Sequence, residues 1–119
     1  MNRGAQAEEL VARYLQEHGY RIVLRNWHSR FGEIDVIAEN GRYLVFAEVR
    51  CRALGSLTEP LETVTRAKQR KILQTAQCFL QDHREYDALQ PRFDVASVTA
   101  RGEDLSFADV NYIVNAFGL

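Results

Sequence analysis

Two acidic residues, Asp35 and Glu48, sit inside stretches that otherwise read as buried strands, "EIDVIA" (33–38) and "YLVFAEVR" (43–50). Between them lies "ENGR", whose Asn40-Gly41 supplies the positive-φ pair of a two-residue hairpin turn. With that turn, Glu39 faces Arg42, Asp35 faces Phe46 and Glu33 faces Glu48. Because strand side chains alternate, Glu33, Asp35, Glu48 and Arg50 then share one face, with Asp35 and Glu48 as diagonal neighbours within reach of one small ligand. Facing like charges are destabilising and burial makes each carboxylate costlier, so this pattern asks for a neutralising partner. Carboxylates on adjacent strands suit a hard cation such as Mg²⁺, which takes oxygen ligands and keeps several waters. The competing reading is a solvated sheet end where these acids pair with arginines.

The elements that must hold these residues follow from periodicity. Ala7, Leu10, Val11, Tyr14 and Leu15 trace the apolar stripe of an amphipathic helix, and Gly19 follows as its stop. At 100° per residue, Glu8 falls at the edge of that stripe and can face the sheet, whereas Glu9 points away and is predicted to be solvated. "YRIVL" (20–24) reads as a short strand and "RNWHSRFG" (25–32) as a polar loop. Within that loop, Trp27 and His28 offer base stacking or general-base chemistry, or else packing and exposure. A loop at 53–60 leads into a helical pattern from Thr63 to His83, with Val64, Ile72, Thr75 and Phe79 on its buried stripe. Lys68 falls inside the stripe; it either snorkels to solvent along its aliphatic stem or meets the carboxylates. "RFDVASVTA" (92–100) alternates like a strand, with Asp94 in a structural place. "RGED" turns the chain, "LSFADV" (105–110) reads as a weaker strand, and "NYIVNAF" as a short helix. The order α-β-β-β-α-β-β predicts an α/β sandwich, a mixed sheet with helices packed on it.

Composition bounds the function. A chain of 119 residues with 46% hydrophobic content fits one domain, residues 1–119. No run of about 18 apolar residues appears, so no membrane span is expected. Glu8 and Glu9 stand where a signal peptide needs its apolar centre, so a soluble cytoplasmic protein is expected. Cys51 and Cys78 form no CxxC and have no His at zinc-ligand spacing, which argues against a disulfide scaffold or zinc site. A net charge of -1 does not suit a protein that coats nucleic acid, so a phosphate partner would need a local patch. Arg21, Arg25, Arg30, Arg42, Arg50 and Arg52 lie in or near the hairpin and form either such an edge or an ordinary solvated surface.

"GEIDVIA" and "LVFAEVRCR", preceded by "GAQAEELVARYLQEHGYRIVLRN" and followed by "VTRAKQRKI" and "RFDVASV", together resemble the YraN-like family of small bacterial proteins, which is grouped with endonucleases. That family is similar to archaeal Holliday junction resolvases and to the PD-(D/E)xK nuclease superfamily. The resemblance covers nearly the whole chain. It implies a restriction-endonuclease-like three-layer sandwich and a DNA endonuclease dependent on Mg²⁺ or Mn²⁺, with branched DNA among its substrates. It makes Asp35 the motif aspartate, Glu48 the second acidic ligand and Glu8 the first-helix glutamate, a third metal ligand. Arg50 stands where the motif has lysine, and Lys68 could supply the missing ammonium. Asp35, Glu48, Arg50 and Lys68 are then the candidate catalytic residues, and Arg30, Arg50, Arg52, Lys68 and Lys71 the candidates for holding DNA. The rival expectation is a non-catalytic module of the same fold that binds nucleic acid or protein. Cutting a junction needs two sites at fixed separation and so favours a symmetric homodimer.

Overall fold

The computed structural model describes residues 3–55, 64–102 and 104–118. Helix α1 (Arg3–Glu17) ends where the periodicity predicts: Gly19 takes φ 88° and the Tyr20 N–H reaches back to the Leu15 carbonyl at 2.9 Å. That long return bond in the last turn needs a left-handed residue, which glycine supplies without a Cβ clash. Strands β1 (Arg21–Ser29), β2 (Gly32–Glu39) and β3 (Tyr43–Ala53) form an antiparallel meander. Helix α2 (Arg66–Asp82) then crosses over to β4 (Gln90–Ala100), which runs parallel to β3, and β5 (Val110–Phe117) returns antiparallel at the far edge. The sheet order β1-β2-β3-β4-β5 is that of the sequence. The parallel β3/β4 pair requires a crossover, and α2 is that crossover.

The two faces of the sheet are covered differently. On one, Ala7, Leu10, Val11 and Leu15 of α1 pack on Val36, Ala38, Val45, Ala47, Ala96 and Val98. These are small side chains, over which a helix can seat closely. On the other, Ile72, Ala76 and Phe79 of α2 pack on Ile34, Ile37, Leu44, Phe46, Phe93 and Val95. Aromatic rings fill that layer: Phe46 stacks on Phe93 at 5.3 Å and meets Phe79 edge-on at 5.9 Å. Helix, sheet and helix make three layers in the predicted order, α-β-β-β-α-β-β. Among the described residues, no helix is long and apolar enough to cross a membrane.

Several local expectations are corrected. The segment 25–32 is not a loop, because β1 continues to Ser29, paired with Gly32. Trp27 is held there by edge-on contacts with Phe79 at 5.3 Å and His83 at 6.2 Å, so it packs rather than stacking on a base. The hairpin turns at Gly41-Arg42 rather than Asn40-Gly41. The Asn40 Oδ1 accepts the N–H groups of Arg42 and Tyr43, at 3.0 and 2.8 Å, and Gly41 takes φ 88° as the first central residue. The register therefore pairs Ile37 with Phe46 and Val36 with Ala47. In α2, Thr65 is the N-cap, accepting the Lys68 N–H, and Ile72, Thr75, Ala76 and Phe79 are buried. The predicted start at Thr63 and most of the 53–60 loop lie outside the described residues; Ala53 itself ends β3. Finally, 105–110 is no strand and the tail is no helix. A 3-10 turn at Phe107–Asp109 precedes β5, whose Tyr112 hydroxyl donates to Asp94 and whose Phe117 stacks on Phe93.

Candidate active site

The β2–β3 ladder ends at Val36 and Ala47, and one step further stand Asp35 and Glu48. The shifted turn thus makes the two carboxylates direct neighbours instead of diagonal ones. Where the strands part, the Asp35 Oδ2 accepts the Val49 N–H at 2.8 Å, replacing a ladder bond with a side-chain bond. Ile34 belongs to the α2-side core and Val36 to the α1-side core, so the alternation of faces breaks at Asp35. Its carboxylate consequently meets groups from both layers.

Glu48 is 6% exposed. Burial, the neighbouring Asp35 charge and a hydrogen bond with Asp35 push its carboxyl up to about 8, against the opposing pull of Lys68 and Arg50. At neutral pH without a cation, the pair holds a proton between its two oxygens' territories, as close carboxylates must. Lys68 does reach the site: its Nζ lies 3.9 Å from Glu48 Oε2. From α1, Glu8 faces the same region. Burial and the Asp35 charge raise its pKa, while an Asn26 hydrogen bond and the Arg25 charge work the other way. Its Oε1 is buried without a hydrogen-bond partner.

The remaining candidates are spread around this centre. Arg50 is half-buried and close enough for its charge to favour ionised Glu48. Arg52 follows on β3, half-buried. Arg30 is exposed in the β1–β2 turn, its guanidinium 4.8 Å from the centre of the Phe31 ring. Lys71 is exposed on α2. His28 is exposed, with Nδ1 3.9 Å from Glu33 Oε2. Glu9, expected in solvent, instead makes a 2.7 Å ion pair with Arg25 and is half-exposed. Asp94 is structural as expected: fully buried, it accepts from Arg92, from the Tyr112 hydroxyl at 2.7 Å and from the Asn115 N–H at 2.8 Å. Asn26 and the Val49 N–H were missed, because neither carries a periodicity signal; Asn26 is visible only as a residue that tolerates a left-handed backbone.

Among the described residues, no three acidic, His or Cys side chains converge into a ready-made metal cage. The donors are a contacting carboxylate pair and a third carboxylate directed at Asp35. Oxygen donors alone, a buried acceptor without a partner and repulsion that a cation would relieve fit a hard divalent ion that retains waters. Asp35, Glu48 and Glu8 are the residues that would hold it.

The model of "Uncharacterised protein family UPF0102" matches residues 7–98. The chain is 40% identical over 116 residues to a UPF0102 protein of Geobacter metallireducens, covering 98% of this chain and 92% of the relative. It is 41% identical over 117 residues to one of Syntrophotalea carbinolica, at 98% and 92% coverage. Against one of Prosthecochloris aestuarii it is 43% identical over 119 residues, at 96% and 91% coverage. The matched span includes every acid of the site together with Arg50 and Lys68, and the chain belongs to the UPF0102 family.

Proposed function

We propose that this protein is a metal-dependent endonuclease that hydrolyses DNA phosphodiesters. The observation that supports it most is the Asp35–Glu48 pair, buried where β2 and β3 part, with Lys68 3.9 Å from Glu48 and Glu8 arriving from the opposite layer. A divalent cation in such a site supplies a lowered pKa for water and offsets charge growing on the phosphate oxygens. Asp35 and Glu48 hold that charge in place, and Glu48 must release its proton for both to serve as anionic donors. Asp35 is fixed by the Val49 N–H, so its second oxygen is free to turn to the cation. Lys68 brings the ammonium that the motif would otherwise place at position 50. Arg50 there cannot lose its charge, and its planar fork suits clamping a phosphate better than orienting a water. Arg30, Arg52 and Lys71 extend the contact to neighbouring phosphates, where they position the strand without reading its bases.

Arg50 also favours the second reading, a module that binds DNA without cutting it. Incubation of the pure protein with Mg²⁺ or Mn²⁺ and branched, single-stranded and duplex DNA separates the two. Cation-dependent cleavage that disappears in Asp35→Asn is the expected result. Salt-dependent DNA binding with no cleavage under either cation would establish the second reading instead. Preference for branched DNA would bring with it a symmetric dimer, observable as a concentration-dependent mass.

A further inference from the structure

The row that holds Asp35 and Glu48 continues onto β1. Pairs Arg25↔Val36 and Trp27↔Ile34 bracket Asn26, which therefore stands level with Asp35. Asn26 has φ 53°, left-handed backbone inside a strand. Asparagine tolerates this conformation better than most residues, but it is uncommon for any non-glycine. Its effect is visible in the neighbours. Arg25 lies on the α1 side, where its Nη1 bonds Glu9 Oε2 at 2.7 Å, whereas Trp27 lies on the α2 side against Phe79. A regular strand would send these two side chains to the same face. The inversion at Asn26 carries its own side chain to α1, where the amide hydrogen-bonds to Glu8. The other oxygen, Glu8 Oε1, is left buried and without a partner.

We propose that Asn26 is a positioning residue: its amide holds one carboxylate oxygen of Glu8, so that Oε1 is presented to the Asp35–Glu48 pair and to a divalent cation bound there. Arg25, clamped to Glu9 in the next position, fixes the height of α1 against the sheet edge and so assists the same contact. This assignment rests on the metal-centre reading above, and the test keeps the two apart.

Asn26→Gly retains the left-handed backbone, which glycine accepts freely, and removes only the amide. Calorimetric titration with Mn²⁺ should show roughly tenfold weaker binding than the parent, the usual scale for losing a residue that orients a metal ligand. Its urea midpoint should be equal to or above the parent's. Glu8→Gln should weaken Mn²⁺ binding as well, and Asn26→Gly added to Glu8→Gln should weaken it no further, because the amide then has nothing to position. Unchanged Mn²⁺ affinity in Asn26→Gly would overturn the proposal, and so would independent, additive losses in the double variant. A second readout needs no metal. The side-chain amide resonances of Asn26 should move in Glu8→Gln and stay in place in Glu39→Gln, at the other end of the hairpin. Asn26 resonances indifferent to Glu8→Gln would overturn the contact itself. A parent that binds neither Mn²⁺ nor Mg²⁺ would overturn the metal centre, while the amide resonances would still decide whether Asn26 holds Glu8.

Discussion

Replacing Glu48 by glutamine should convert a pH-dependent protein into a nearly pH-independent one over the neutral range. In the folded chain the Glu48 carboxyl is raised from 4.5 to about 8 by burial and by Asp35. A raised carboxyl keeps its proton in the folded state where the unfolded chain has lost it. The contribution is therefore fully present below 4.5 and is lost as pH rises towards 8. One proton of difference changes stability by about 1.4 kcal/mol per pH unit, so between about pH 5 and about pH 7.5 the parent should lose ~3 kcal/mol from this group. Glutamine imitates the protonated acid in size and can donate to Asp35 as the acid does, so Glu48→Gln should match the parent near pH 5. It should exceed the parent at the higher pH by up to that amount. The assay is urea unfolding with chelator at both pH values, comparing midpoints at constant slope. Addition of Mg²⁺ at the higher pH should restore the parent and leave Glu48→Gln almost unmoved. If parent and variant lose stability in parallel, Glu48 is ionised in the metal-free fold and the account of the carboxylate pair is wrong.

Three further outcomes follow from the same geometry. Mg²⁺ or Mn²⁺ should raise the parent's melting temperature by mass action, by about 2.7 kcal/mol at a hundredfold excess over Kd, and Asp35→Asn should reduce the rise; an equal rise in both proteins would remove Asp35 from the site. In cleavage assays Lys68→Ala should lose roughly a hundredfold or more if its ammonium is a transition-state contact. Arg50→Lys should keep or increase activity and Arg50→Ala lower it, and full activity in both alanine variants would exclude these bases from the chemistry. Away from the site, Asp94→Asn should cost ~3–5 kcal/mol in urea unfolding, because it strands the buried Arg92 guanidinium bonded at 2.8 Å, yet it should leave the cation-induced shift intact.

How far the sequence could be read depended on whether the backbone stayed regular. Helical angle alone placed Lys68 on the buried stripe of α2 and Glu8 on the sheet side of α1, and both reach the carboxylates. The hairpin's parity survived although its turn moved, because the pairing slipped by two positions and side chains repeat every two. The slip itself was hidden in a side-chain choice: Asn40 caps the amides of Arg42 and Tyr43 rather than sitting in the turn centre. The two elements misread outright, the second half of β1 and the tail strand β5, fail for a common reason. Each edge strand carries one asparagine in the left-handed region, Asn26 and Asn115. At Asn26 the faces invert, so Arg25 and Trp27 cannot show a two-residue period. At Asn115 the β4–β5 register breaks between Phe93 and Val95, and the freed N–H bonds Asp94. In both cases the irregular residue donates to a partly or fully buried carboxylate, one in the candidate site and one in the core. An edge strand can afford that interruption, since only one side of it is paired, and a twisted edge also discourages pairing with a second chain. Periodicity is therefore least legible at the positions where the backbone is bent to serve a buried acid.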